Sequence, residues 1–79
     1  MYLRIISLKG IEYQGNVISL NIKTKSGEIT ILENHRPLIS LLKSGRAVIT
    51  DQSRQSKELE INSGFLEVAP RNRLNVLID

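Results

Sequence analysis

One histidine, six glutamates and no cysteine limit the chemistry open to this chain. The histidine lies in the run Ser26-Gly27-Glu28-Ile29-Thr30-Ile31-Leu32-Glu33-Asn34-His35-Arg36-Pro37-Leu38. Glu28, Glu33 and His35 are near enough in sequence to be considered as metal ligands. A zinc site is usually built from several imidazoles or thiolates, and here there is one imidazole and no thiolate. The run reads more simply as a polar loop whose histidine hydrogen-bonds locally or meets a partner. A serine nucleophile would need His35 as its base and an acid to orient it. Ser19, Ser40 and Ser63 stand in no motif of that kind. Gly10, Gly15, Gly27, Gly45 and Gly64 are isolated, so there is no glycine-rich phosphate loop. Glu58 and Glu60 flank Leu59 as solvated residues of one strand do. No cofactor or metal is expected, and the chain reads as a binding or structural module rather than an enzyme.

Contact is therefore expected first at the polar loop, because loops held by a rigid scaffold carry binding groups. The scaffold is 79 residues long, one small domain. A chain of this size buries only about 60–65% of the surface it exposes when unfolded. With no disulfide available, oligomerisation or docking on a larger partner is the obvious remaining source of stability. Eleven isoleucines, eleven leucines and four valines stand against two tyrosines, one phenylalanine and two alanines. Many isoleucines and few alanines argue for strands and against a helix bundle. No apolar run approaches the ~20 residues of a membrane span, and no basic segment followed by an apolar one opens the chain as a secretion signal would. The net charge of +3 comes from scattered basic residues with acidic ones between them. Tyr2, Tyr13 and Phe65 are not interleaved with them as a base-stacking platform requires. No nucleic-acid partner is expected. A small basic β-barrel that binds oligonucleotides is the alternative reading, and a steep salt dependence of binding would reveal it.

The elements that position the loop are short alternating runs. Residues 2–8 form a first strand, with Leu3, Ile5 and Ser7 on one face and Tyr2, Arg4, Ile6 and Leu8 on the other. Lys9-Gly10 is a turn. Residues 11–14 form a short strand, Gly15-Asn16 a second turn, and residues 17–23 a strand with Ile18, Leu20 and Ile22 inward. Lys25-Ser26-Gly27 turns the chain into a strand over 28–32. Leu38, Leu41 and Leu42 have helical spacing, but five residues are too few for an independent helix, so 38–42 is assigned as a strand. Further strands are expected over 46–51, 57–62, 65–68 and 74–78, divided by Ser44-Gly45, the polar stretch 52–56, Ser63-Gly64 and Pro70-Arg71-Asn72. The consequence is an all-β fold, a small antiparallel β-sandwich of about eight to ten short strands, occupying 1–79 as a single domain.

Two segments of this pattern are similar to a known family. Gly27-Glu28-Ile29-Thr30-Ile31-Leu32-Glu33-Asn34-His35-Arg36-Pro37-Leu38 resembles the Gly-Glu-(apolar)-x-(apolar)-Leu-Pro-Asn/Gly-His-Ala-Pro-Leu of the epsilon subunit of F-type ATP synthases. Ser63-Gly64-Phe65-Leu66-Glu67-Val68, followed by Asn72 and the last strand, resembles that family's Ser-Gly-Gly-Phe-x-Glu-Val and Asn-x-Val-x-Val-Leu. Lys43-Ser44-Gly45 matches its Lys-Pro-Gly bend. The chain departs from the pattern at Glu33, at Arg36 and at Ser63, where a second glycine is usual. If that glycine needs positive φ, Ser63 is strained.

The resemblance implies the N-terminal β-sandwich of a central-stalk rotor subunit, bound to the gamma subunit and resting on the c-ring. Such a subunit couples proton-driven rotation to ATP synthesis and is itself non-catalytic. It implies Glu28, Glu33, Asn34, His35 and Arg36 as the ring or stalk contact, with Glu28 first and His35 second. It also implies a place on the cytoplasmic face of a bacterial inner membrane, with membrane association only through the complex, and a monomer when isolated. Family members generally continue into a C-terminal helical hairpin linked to inhibition of ATP hydrolysis. This chain stops at Asp79, so the role of the sandwich without the hairpin is expected.

Overall fold

A computed structural model describes residues 1–79. Its eight strands are β1 (Tyr2–Ser7), β2 (Gly10–Thr24), β3 (Gly27–Ile31), β4 (Leu38–Leu42), β5 (Gly45–Asp51), β6 (Ser56–Ile61), β7 (Gly64–Ala69) and β8 (Arg73–Ile78). The all-β sandwich expected from the alternation is the fold observed. The ambiguous stretch at 38–42 is a strand, because β7 lies alongside it and pairs from Leu38↔Val68 to Leu42↔Gly64.

β2 corrects the sequence reading. Gly15-Asn16 does not turn; the strand runs through it for 15 residues. Turn-prone residues reverse a chain only when its two flanks can pair with each other, and here each flank has another partner. The first half lies antiparallel to β1, with Gly15 opposite Leu3. The second half lies between β3 and β5. Where the neighbours change, the β2–β5 register slips between Val17 and Ser19. Such an irregularity lets a strand bend from one layer into the other.

Hydrogen bonds run from β2 through β1, β8, β7 and β4, and return to β2 at the Thr24↔Leu42 pair. β3 and the β5–β6 hairpin complete the second layer on either side of β2. Every pairing is antiparallel except β1 with β8. A parallel pair needs a long crossover, and the first and last strands have most of the chain between them.

The space between the layers is filled by alternate residues. Leu3, Ile5, Leu20, Ile22, Ile31, Ile49, Leu66, Leu74 and Val76 are buried. Thr24 is the one buried polar side chain. Its hydroxyl donates to the Gly27 carbonyl at 2.8 Å and accepts from Ser26 N–H at 3.1 Å, which closes the β2–β3 turn. Gly64 lies opposite both Leu42 and Ile78. A Cβ there would overlap the Leu77 carbonyl oxygen and stand 3.0 Å from Ile78 Cα. Ser63 is not among the residues with positive φ, so the expected strain is absent from it. The steric demand at this bend falls on Gly64 alone.

Candidate functional site

Glu28 is the second residue of β3. It faces outward opposite Lys23 of β2. A shallow outward groove brings Glu28 and Lys23 together with Arg46, Glu58 and Glu60. Arg46 Nη1 is 2.9 Å from Glu58 Oε1, and its Nε is 3.4 Å from Glu60. The hydrogen bond and charge of Glu58, then the charge of Glu60, raise the Arg46 pKa above its ordinary value. These pairs are solvated, so they shape the surface potential more than they hold the fold. Glu28 takes part in no ion pair.

Residues 33–36 lie elsewhere. The length of β3, roughly 13 Å from Glu28 to Leu32, separates them from Glu28. Within that loop the structure divides the residues by role. Glu33 Oε1 accepts from the Met1 amine at 2.5 Å, and Oε2 accepts from Asn72 Nδ2 at 3.1 Å. Asn72 Oδ1 accepts from Asn34 N–H at 2.8 Å. The Met1 amine also reaches the Val17 carbonyl at 3.1 Å, and Tyr2 N–H donates to the Asn72 carbonyl at 2.8 Å. Glu33 is thus a clasp between the chain start, the β3–β4 loop and the β7–β8 turn. Asn34 (φ 62°) and Asn72 (φ 56°) hold left-handed conformations, which asparagine tolerates better than most residues. His35 Nδ1 is 2.8 Å from the Arg36 carbonyl. A carbonyl oxygen can only accept, so a bond there has Nδ1–H as its donor. His35 and Arg36 are exposed and have no side-chain partner. Nowhere in the chain do three His, Cys, Asp or Glu side chains converge as metal ligands would.

A second surface was not anticipated. Leu41 on β4 lies opposite Phe65 on β7, Phe65 opposite Leu77 on β8, Leu77 opposite Ile6 on β1, and Ile6 opposite Ile11 on β2. All five side chains point away from the core and form one unbroken apolar row across the first layer. Leu41 is 50% exposed, Phe65 and Leu77 52% each, and Ile11 57%. The neighbouring outward row, Ile39, Glu67, Asn75, Arg4 and Gln14, is polar after its first member, and Asn75 donates to Glu67 at 3.2 Å. One end of the apolar row opens into a groove of about 590 Å³ bordered by Leu8, Leu41, Phe65, Leu77 and Lys25. A contiguous apolar strip rimmed by polar groups marks a protein contact surface. The outward face of the second layer carries Asn21, Lys23, Glu28, Thr30, Arg46 and Glu58 instead, with Val48 a lone apolar side chain among them. The signal was in the sequence: Ile5-Ile6, Leu41-Leu42 and Phe65-Leu66 put apolar side chains on both faces of strands that bury only one.

The β-sandwich domain family of the ATP synthase delta/epsilon chain matches residues 1–79. The chain is 37% identical over 70 residues to the ATP synthase epsilon chain of Aquifex aeolicus (strain VF5), a match covering 89% of this chain and 52% of the relative. Among solved structures, a chain from the Euglena gracilis mitochondrial ATP synthase (OSCP/F1/c-ring) superposes with a TM-score of 0.90 at 19% identity. The match covers 96% of this chain and 48% of that one. A chain from the Tetrahymena thermophila mitochondrial ATP synthase central stalk/c-ring superposes at 0.81 with 14% identity, covering 99% and 62%. At those identities the likeness establishes the fold. The chain spans about half the length of the curated relative it matches. With its whole length matched, this chain belongs to the β-sandwich domain family of ATP synthase delta/epsilon chains.

Proposed function

We propose that this sandwich is a rotor element of an ATP synthase central stalk, seated between a gamma subunit and the c-ring of a proton-translocating membrane. The exposed apolar row from Leu41 to Ile11 carries this reading. Phe65 and Leu77 stand in its middle, with polar groups on the neighbouring row. That is the anatomy of a protein interface, an apolar centre with a solvated rim. The row is assigned to gamma. The ring contact is assigned to Glu28 and the β2–β3 turn, with His35 and Arg36 as a second, separate contact. Glu33 is already engaged within the chain, so its part is to hold the loop in place.

Transmitting torque requires a body that does not shear between its two contact surfaces. Here the hydrogen-bond path leaves β2 and returns to it, so the layers are joined through backbone and not by side-chain packing alone. In this role the chain carries no catalytic residue, acts at the cytoplasmic face of a bacterial inner membrane, and reaches the ring only as part of the assembled complex.

Co-purification with a gamma subunit tests the assignment. The chain should be retained, the double variant Phe65→Ser/Leu77→Ser should be lost, and Val48→Ser on the opposite layer should be retained. Retention of the double variant, or loss of all three, contradicts it. The isolated chain is expected to show no ATP hydrolysis above a buffer control.

A further inference from the structure

Four of the six arginines sit at one end of the sandwich. Arg36 is in the β3–β4 loop, Arg54 in the β5–β6 loop, Arg71 in the β7–β8 turn and Arg73 at the start of β8. Hydrogen bonds bring these loops together. Asn34 N–H donates to Asn72 Oδ1, Tyr2 N–H to the Asn72 carbonyl and Val17 N–H to the Met1 carbonyl. Val17 in turn lies opposite Asp51, where the β5–β6 loop begins. All five lysines lie outside these loops. The four arginines are exposed, and none is in an ion pair. Two carboxylates share this end, and both are engaged. Glu33 accepts from the Met1 amine and Asn72, and Asp51 Oδ1 accepts from the Ser53 and Gln55 amides. Glu67 stands in the next outward row, level with Arg4, and accepts from Asn75. Four guanidiniums therefore stand against two carboxylates here, whereas the rest of the chain sets seven basic side chains against six acidic ones.

Arg54 (φ 64°) and Arg71 (φ 66°) hold a left-handed backbone that glycine or asparagine adopts at less cost. Strain of this kind at an exposed tip points to a task for the side chain. Arg73 Nε donates to the Pro70 carbonyl at 3.3 Å, which steadies its guanidinium over the β7–β8 turn. None of the four arginines lines a groove, so a small anion has no seat among them. A partner that meets separate loops in turn fits better. Tyr2, opposite Arg73, is the one aromatic side chain at this end and is half-buried, so successive bases have nothing to stack on. Carboxylates, by contrast, accept the guanidinium fork through two parallel bonds. We infer that this end docks an acidic segment of another protein, whose Asp and Glu side chains meet Arg36, Arg54, Arg71 and Arg73 from an extended backbone. The inference widens the contact assigned above to His35 and Arg36 and names its partner's chemistry. It rests on the stalk reading only for which complex supplies the segment.

Fluorescence anisotropy with the intact chain and a labelled octaglutamate peptide tests it. The peptide should bind at low salt and be released as salt rises, while octalysine should not bind. An exposed ion pair is worth up to about a fivefold change in affinity, so R54Q/R71Q and R36Q/R73Q should each bind octaglutamate up to roughly 25-fold more weakly. K25Q/K43Q removes the same charge from turns at the other end and should bind as the parent does. Circular dichroism on each variant confirms an unchanged fold. The inference is overturned if octaglutamate is not bound, or if K25Q/K43Q loses as much as the arginine pairs, which would make net charge the cause. It is also overturned if an oligothymidylate of equal charge binds more tightly, which would make this a nucleic-acid surface. No gamma subunit enters this assay, so its failure leaves the stalk assignment standing, and failure of the co-purification leaves the acidic contact standing.

Discussion

Replacing Asn72 should cost more than its place in a surface turn suggests, and the cost can be divided into two parts. Its side chain accepts from Asn34 N–H at 2.8 Å and donates to Glu33 at 3.1 Å. Its backbone has φ 56°. Each hydrogen bond is worth about 1 kcal/mol net. A left-handed backbone costs an ordinary side chain about 1 kcal/mol more than it costs glycine. Asn72→Ala should therefore destabilise by about 3 kcal/mol, the sum of both effects. Asn72→Gly should destabilise by about 2 kcal/mol, because only the bonds are lost. For a domain of this size 1 kcal/mol moves Tm by roughly 4–8 °C, so the two variants should be separated by several degrees. Urea unfolding followed by far-ultraviolet circular dichroism measures both, provided the m-value is unchanged. If glycine is no better than alanine, the backbone argument fails. If neither variant loses stability, the clasp between the β3–β4 loop and the β7–β8 turn does not hold the fold.

Three further outcomes are expected. Gly64→Ala should destabilise by about 3 kcal/mol or more, since the added carbon meets the Leu77–Ile78 backbone and not a movable side chain; a thermal melt close to that of the parent would refute this. Asp51→Ala should cost about 2 kcal/mol, about 1 for each bond, because Oδ1 accepts from Ser53 N–H at 2.8 Å and Gln55 N–H at 3.0 Å to close the β5–β6 loop; chemical denaturation checks it. Glu28→Lys should weaken assembly or coupling in a reconstituted complex more than Glu58→Lys does, because Glu58 already spends its charge on Arg46; equal effects would remove the special status of Glu28.

The strands were legible because one face of each had to be apolar: Leu3 and Ile5, Leu20 and Ile22, and Leu74 and Val76 alternate as a half-buried strand must. Glycine and asparagine turns were legible where the two flanking strands pair with each other, as at Pro70-Arg71-Asn72. Gly15-Asn16 misled because the same residues tolerate an extended strand, and only the identity of the partners on each flank decides between the two. That information is non-local, as is the parallel pairing of β1 with β8. The sequence located the polar loop but could not tell its members apart. Glu33 and His35 look equally available in a linear reading. Only the fold brings the Met1 amine and Asn72 to Glu33 while leaving His35 in solvent. The apolar row was hidden for the same reason: Leu41, Phe65, Leu77, Ile6 and Ile11 come from five strands and become one surface only in register.

The assignment of that row to the stalk is tested most directly by position-specific cross-linking. A photoreactive side chain placed at Leu77, in the middle of the row, should form a covalent adduct with gamma when the two are mixed. The same group at Val48, on the outward face of the other layer, should not. Adducts from position 48 and none from position 77 would contradict the account.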